Sequence, residues 1–359
     1  MADIHDFLQH MVDRKASDLH IKPGGPPCLR LHGHLVRTEF DVLTSTQTAA
    51  AANQMMDDEQ RALLASAGEV DFAHSEPGLG RFRVNVFRQR GSIGIACRRV
   101  LPGTPSLDSL GLPPAVRMLA NEHRGLLLVT GPTSSGKTTT TGAMIGHINE
   151  TRSCHILTIE DPIEILHNDR QAIVSQREIR ADTTDFATAL RAAMRQDPDV
   201  IFVGEIRDQE TVKAALQAAE TGHLVVSTLH TTDVSETVNR IIGFFPPHQQ
   251  QQIRVAIAGS LKGIVSQRLL PHANGKQRVP AVEILVMNGR IRDLILDPEK
   301  THMIHDIVAE SGFYGMQTFD QALLALYREG RVSLEDAMAG ATSPHDLQIA
   351  LKQEGLQPV

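Results

Sequence analysis

The chain has 359 residues with a formal net charge of −7 and a pI of about 6.2, so its overall charge gives no pull toward nucleic acid or an anionic membrane surface. A hydrophobic share of 41% against 21% charged residues argues for folded globular protein and against disorder, and the length suggests about two domains. Cys28, Cys97 and Cys154 are odd in number, far apart and without a CxxC pair, which argues against a disulfide framework or zinc knuckle and for a reducing compartment.

The N-terminus, MADIHDFLQHMVDRKASDLH, carries acids and no long apolar core, unlike a signal peptide. No apolar run approaches the ~20 residues needed to span a bilayer. The expectation is a cytoplasmic protein that reaches a membrane only by docking on a partner. Ile4, Phe7, Leu8 and Met11 have helical spacing. Strands are expected over Asp18–Ile21 and Leu29–Val36, with helical segments over Thr46–Ala65. Residues 81–88, RFRVNVFR, alternate strictly, with Phe82, Val84 and Val86 on one face and Arg81, Arg83 and Asn85 on the other, as a half-buried strand does. Ile93–Val100 pairs with it across the Gln89-Arg90-Gly91 turn. Residues 1–100 thus form a mixed α+β domain. Residues 101–114, LPGTPSLDSLGLPP, are expected to be a linker.

From residue 115 to 288, short apolar strands alternate with amphipathic helices, which predicts an α/β core with a parallel sheet. The strands are Gly125–Thr130, His155–Ile159, Val200–Gly204 and His223–Thr228. Lys137–Ile148, Phe186–Arg195 and Glu210–Glu220 read as helices between them. Residues 289–359 look helical, with capping-type starts at Ser333 and Ser343.

GPTSSGKT, residues 131–138, matches G-x-x-x-x-G-K-[ST] between a buried strand and a helix. A glycine-rich turn aims successive backbone N–H groups at one anion, and the helix adds the positive end of its dipole. Gly131, Pro132, Thr133, Ser134, Ser135 and Gly136 form that cradle. Lys137 reaches the β- and γ-phosphates, Thr138 ligates Mg²⁺, and Thr139 follows at the helix start. The motif therefore predicts ATP with Mg²⁺.

ILTIEDPIE (156–164) places Glu160, Asp161 and Glu164 at the end of the next strand, where open α/β sheets bind ligands. Acids there can hold a metal, its waters or a nucleophilic water; an ordinary acidic loop fits the same residues. DPDVIFVGEIRD (197–208) ends a strand in Glu205, suited to orient or deprotonate a water. Gly204 stands where many such enzymes have aspartate, so magnesium relies more on Thr138, Glu160, Glu205 and water. His223 and His230 bracket a fourth strand; either can be structural, and His230 is placed to sense a γ-phosphate. His32-x-His34 offers two metal donors and no evident third. Arg81, Arg83, Arg88, Arg90, Arg98 and Arg99 put six cations on two neighbouring strands. They form either a solvated face or a set that completes a triphosphate site from another domain or subunit. Few aromatics interleave with them, which disfavours single-stranded nucleic acid. No nucleic-acid partner is expected, although a nucleic-acid translocase stays open as a class.

Eight ordered segments carry a resemblance: ASDLHI, GLGRFRVNVFRQRG, GPTSSGKTTT, TIEDPIE, VSQRE, RQDPDVIFVGEIRD, TGHLVVSTLHT and GMQTFDQ. In this order they resemble the type IV pilus retraction ATPases of the secretion-ATPase superfamily, over nearly the whole chain. The resemblance implies a PAS-like N-terminal domain, a RecA-like P-loop ATPase domain and a helical C-terminal extension, assembled as a homohexamer. It implies Glu205 as the catalytic glutamate, Glu160 and Glu164 as acidic-box residues and His223 and His230 as histidine-box residues. Arg81 and Arg83 would complete the site from the N-terminal domain. It implies an inner-membrane pilus platform protein as partner, at the cytoplasmic face, and pilin disassembly as output. The tail GMQTFDQALLALY also resembles an accessory paralogue of these motors. Extension and type II secretion ATPases fit less well, since their usual four-cysteine zinc motif is absent. Two stretches depart from the family pattern: Ser134 in place of glycine, and GRIRDLI (289–295), where only Ile291 and Arg292 match.

Overall fold

The computed structural model describes residues 3–31, 33–275 and 277–356, with the side chains of 101 and 102 left aside. The chain divides into two compact units: residues 1–103 with 162–166, and residues 104–161 with 167–359.

In the first unit, α1 (Ile4–Asp13) buries Ile4, Phe7, Leu8 and Met11, the four residues with helical spacing. β1 (Asp18–Ile21) follows. The single strand expected over Leu29–Val36 is instead a hairpin of β2 (Cys28–Leu31) and β3 (His34–Arg37). Gly33, at φ 86°, supplies the left-handed residue that reverses the chain. The helical segments expected over Thr46–Ala65 are two helices, α2 (Ser45–Met55) and α3 (Asp58–Ala67). Met56 is extended and the Asp57 carboxylate caps the second helix, accepting from the Gln60 N–H at 2.8 Å. β4 (Glu69–Glu76), β5 (Gly80–Gln89) and β6 (Ser92–Pro102) complete the main path of an antiparallel sheet, in the order β3-β2-β1-β6-β5-β4. Phe82, Val84 and Val86 are fully buried beneath the helices, as the alternation predicts. Cys97 shares that core, and burial pushes its thiol up to about 12, which leaves it unreactive at neutral pH.

β6 runs through Pro102, and Leu107 is buried in a 3-10 turn over Leu107–Leu110; these parts of the segment read as a linker are ordered structure. The second unit continues with α4 (Pro114–Ala120), β7 (Gly125–Thr130), α5 (Lys137–Thr151) and β8 (His155–Glu160). β9 (Ile165–Leu166) then returns to the first unit, parallel to the end of β6. β10 (Ile173–Glu178), α6 (Phe186–Ala193), β11 (Val200–Val203), α7 (Gln209–Glu220) and β12 (Leu224–Leu229) follow. After them come α8 (Val234–Gly243), α9 (Pro247–Ser260), β13 (Leu261–Pro271) and β14 (Arg278–Val286).

The second sheet has the order β10-β8-β11-β12-β7-β13-β14, parallel except for β14. Both faces are covered, so its strands read as unbroken apolar runs. Leu126 and Leu128 of β7 pack with α6–α9, while Leu127 and Val129 pack on the other face with α4 and α5. C-terminal to it lie α10 (Gly289–Leu296), α11 (Ile304–Glu310), α12 (Phe319–Arg328), α13 (Leu334–Gly340) and α14 (Pro344–Gln353). Ser333 and Ser343 cap the last two, as their sequence predicts. α12–α14 pack on Leu270, Val279 and Ala281 of the β13–β14 hairpin. No helix among the described residues is long and apolar enough to cross a membrane.

Candidate functional site

The phosphate loop leaves the carboxyl end of β7, at the middle of the sheet. Gly131 has φ 145° and Gly136 has φ 90°, conformations that L side chains resist. A Cβ at Gly131 would fall 2.3 Å from the Gln267 carbonyl oxygen, and one at Gly136 would fall 2.6 Å from Gln267 Nε2. Both motif glycines are therefore required twice, by backbone angle and by space. Ser134 has φ 65°, so this departure from glycine carries the strain of a left-handed residue, ~1 kcal/mol.

Three observations fit the loop to a phosphate. Gly136 is the N-cap of α5 and offers no side-chain acceptor, so the first-turn N–H groups are left for an anion. Ser135 Oγ is buried with no partner among the described residues. Lys137 Nζ lies over the loop, donating to the carbonyls of Gly131 at 2.7 Å and Pro132 at 2.9 Å. Pro132, Thr133, Ser134, Thr138 and Thr139 are exposed around it.

The neighbouring strand ends bring the acids in. Glu160, buried at the end of β8, accepts on Oε1 from Thr158 Oγ1 at 2.7 Å and Gln176 Nε2 at 3.1 Å. Glu205, just past β11, is gripped by Arg207, whose Nε and terminal nitrogen both reach Oε2 at 2.7 Å. Its other oxygen lies 3.3 Å from His230 Nε2. His230 Nδ1 is in turn 3.5 Å from Lys137 Nζ. An ammonium only donates, so Nδ1 is the acceptor in that contact, while Nε2 faces Glu205 Oε1 at ion-pair distance. Lys137, His230 and Glu205 thus form a line from the phosphate loop to the candidate base. Gly204 sits against Glu160, where a Cβ would meet the Glu160 Cα and the Ile159 carbonyl at 3.4 Å, ordinary van der Waals contact.

Arg207 also approaches Asp161, at 3.7 Å, as does Arg180 at 3.9 Å. These three line a cavity of about 490 Å³ with Asp185, Arg191 and Asp208. Under the strand ends, Glu283 of β14 accepts from the Val234 N–H at 2.9 Å, where α8 begins after His230. Burial pushes its carboxyl up to about 7, and the Val234 hydrogen bond opposes that rise.

Other expected residues lie elsewhere. The parallel register sets Leu224 beside Gly125 and Leu229 beside Thr130. His223 therefore stands at the opposite end of β12 from His230, roughly 20 Å away at ~3.3 Å per residue. Its Nδ1–H donates to the Ala218 carbonyl at 2.9 Å, so it closes the end of α7 instead of meeting the phosphate loop of its own chain. Glu164 is exposed on the 162–166 segment that belongs to the first unit. Arg81 and Arg83 belong to that unit too, on β5, with Arg83 opposite Arg98 on β6. Arg98 is held by Asp18, Nε to Oδ1 at 2.7 Å. The His32-x-His34 pair falls partly outside the described residues at His32, and no group of three His, Cys, Asp or Glu among the described residues is disposed to hold a metal.

Gln267 is the residue that sequence reasoning missed. It is 2% exposed; Nε2 donates to the Ser135 carbonyl and Oε1 accepts from Thr140 Oγ1, both at 2.7 Å. Its sequence context, the polar run Ser266-Gln267-Arg268 within β13, does not set it apart from its neighbours.

A central phosphate loop, two acid-bearing strand ends and a histidine bridging lysine to glutamate define a P-loop nucleotide-binding α/β protein. Residues 1–311 match the family described as "Type II/IV secretion system protein", and the chain belongs to that family. It is 40% identical to the type IV pilus retraction ATPase PilT of Pseudomonas aeruginosa over 344 residues, 96% of this chain and 99% of the relative. It is also 40% identical to the type IV pilus ATPase PilU of the same organism over 350 residues, 98% of this chain and 91% of the relative. Among solved structures, the pilus retraction motor PilT with bound ADP superposes with a TM-score of 0.89 at 45% identity, covering 97% of this chain and 100% of that one. The PAS-like, RecA-like and helical regions expected from the sequence follow this architecture.

Proposed function

We propose that the chain is an ATP-hydrolysing motor that powers type IV pilus retraction. It works as a homohexamer docked on an inner-membrane platform protein at the cytoplasmic face. The observation that carries the reading is the Lys137–His230–Glu205 line at the mouth of a phosphate loop.

Phosphate oxygens replace the Gly131 and Pro132 carbonyls as partners of the Lys137 ammonium. The loop N–H groups and the α5 dipole hold the same charge. Glu205 orients the attacking water and takes its proton, after giving up part of its hold on Arg207. His230 keeps Glu205 and Lys137 in register. When bound, Mg²⁺ neutralises phosphate charge; Thr138 would hold it, with Glu160 and Glu205 aligning its waters. Glu164, Arg81 and Arg83 are supplied in trans by a neighbouring subunit, which predicts that turnover per subunit rises with protein concentration as rings form. Concentration-independent turnover by a monomer would count against that part.

Equal identity to PilT and PilU supports a second reading, an accessory retraction ATPase that assists a more active paralogue. Deleting the gene separates them. A retraction motor leaves surface pili accumulated and twitching lost, an accessory subunit leaves a partial defect, and loss of pili contradicts both.

A further inference from the structure

β13 sends three consecutive side chains to three places. Ser266 Oγ lies 2.8 Å from Thr130 Oγ1, and Arg268 donates to the Gly340 carbonyl at 2.7 Å. Between them, on the other face of the strand, Gln267 enters the back of the phosphate loop. Its amide uses both ends, one on the carbonyl of Ser135 in the last turn of the loop and one on Thr140 in the first turn of α5. Gly131, which opens the loop, packs against the Gln267 backbone carbonyl oxygen, and Gly136, which closes it, against the side-chain Nε2.

We propose that Gln267 is the positioning residue of the phosphate loop, holding it in its phosphate-binding shape before nucleotide arrives. This rests on the reading of residues 131–138 as a nucleotide cradle. An anion nest binds tightly only if its N–H groups converge before binding; otherwise ordering the loop is charged against affinity. Glycines at 131 and 136 make close approach possible, and they also leave the backbone free to turn away. Gln267 removes that freedom. Pinning the Ser135 carbonyl from behind fixes the peptide plane between Ser135 and Gly136, and so the direction of the Gly136 N–H. The Thr140 bond joins that plane to the helix whose dipole faces the phosphate. With the side chain buried, no water replaces a lost bond, and the Ser135 carbonyl would turn to recover one.

The test uses the full chain with Mg²⁺ and a fluorescent ADP, alongside thermal unfolding without nucleotide. Gln267→Met keeps the shape and removes both bonds, Thr140→Val removes one, and Ser266→Ala removes a buried bond of the same strand that does not touch the loop. The expected result is ADP affinity weakened about tenfold in Gln267→Met and about threefold in Thr140→Val. Ser266→Ala should stay within about twofold despite a similar loss of melting temperature. Turnover at saturating ATP should fall less than affinity, because the bound nucleotide re-forms the loop. ADP affinity in Gln267→Met within about twofold of the unaltered chain overturns the proposal, as does equal weakening in Ser266→Ala. Should Gln267→Met not fold, Thr140→Val decides alone, and unchanged affinity there overturns it. If the unaltered chain binds no ADP, the nucleotide reading itself has failed.

Discussion

The two ends of the second parallel sheet carry similar polar residues and use them in opposite ways. At the amino ends of the strands, His223 donates to the Ala218 carbonyl, the His155 N–H donates to Asp199 at 2.8 Å, and the His155 ring reaches the Gln196 carbonyl at 3.1 Å. Each closes backbone that a loop leaves open. At the carboxyl ends, Lys137, His230 and Glu205 face one another at longer range, and Ser135 Oγ has no partner among the described residues. The first end is finished by its own chain; the second is laid out for a ligand. Residue type does not distinguish them, but position along the strand does.

The largest effect expected of that contrast is at the loop. Lys137→Ala and Glu205→Gln should each lower steady-state ATP turnover by at least ~100-fold, and unchanged turnover in both would remove the site assignment. The histidine pair sharpens it. His230→Asn should reduce turnover about tenfold with little change in melting. His223→Asn should leave turnover nearly intact and cost ~1 kcal/mol of stability through its lost capping bond. Reversal of these two phenotypes would put the site at the wrong end, or show that His223 acts across a subunit boundary.

A smaller effect concerns Glu283 beneath the carboxyl ends. Its folded pKa, about 7, lies above the ordinary value of 4.5, so the folded protein holds this proton more tightly than the unfolded chain. The resulting stabilisation is fully present below about pH 4.5 and is lost as pH rises through about 7. Glu283→Gln keeps an acceptor for the Val234 N–H and should be more stable than the parent at pH 8, by on the order of 1–2 kcal/mol. That advantage should vanish near pH 4.5. A difference independent of pH, measured by urea unfolding, would contradict the burial account.

The central strands, the phosphate loop and the acids at strand ends were legible because they rest on local signals: apolar runs, a spaced motif and the residue that follows a strand. β4, β10 and the β13–β14 hairpin were not, since their polar content depends on what packs beside them. The hairpin at Gly33 passed for one strand because a single glycine marks the turn and Leu29, Leu31 and Leu35 keep the alternation across it. Gln267 was invisible for a related reason: its partners at 131–140 lie some 130 residues earlier, and only the β7–β13 pairing brings them together. The straying of residues 162–166 to the first unit splits the acidic box, which no local pattern marks. Ser134 is the opposite case. A position where the resembled family has glycine is one that can need an unusual backbone angle, and the Ser134 φ of 65° is left-handed.

The most direct test of the two-ended account is single-turnover hydrolysis by Glu205→Gln under conditions where ADP binding is measured on the same sample. The account predicts parental ADP affinity with hydrolysis slowed by at least ~100-fold, because Lys137 and the loop bind while Glu205 activates water. Parental hydrolysis, or loss of ADP binding together with hydrolysis, would contradict it.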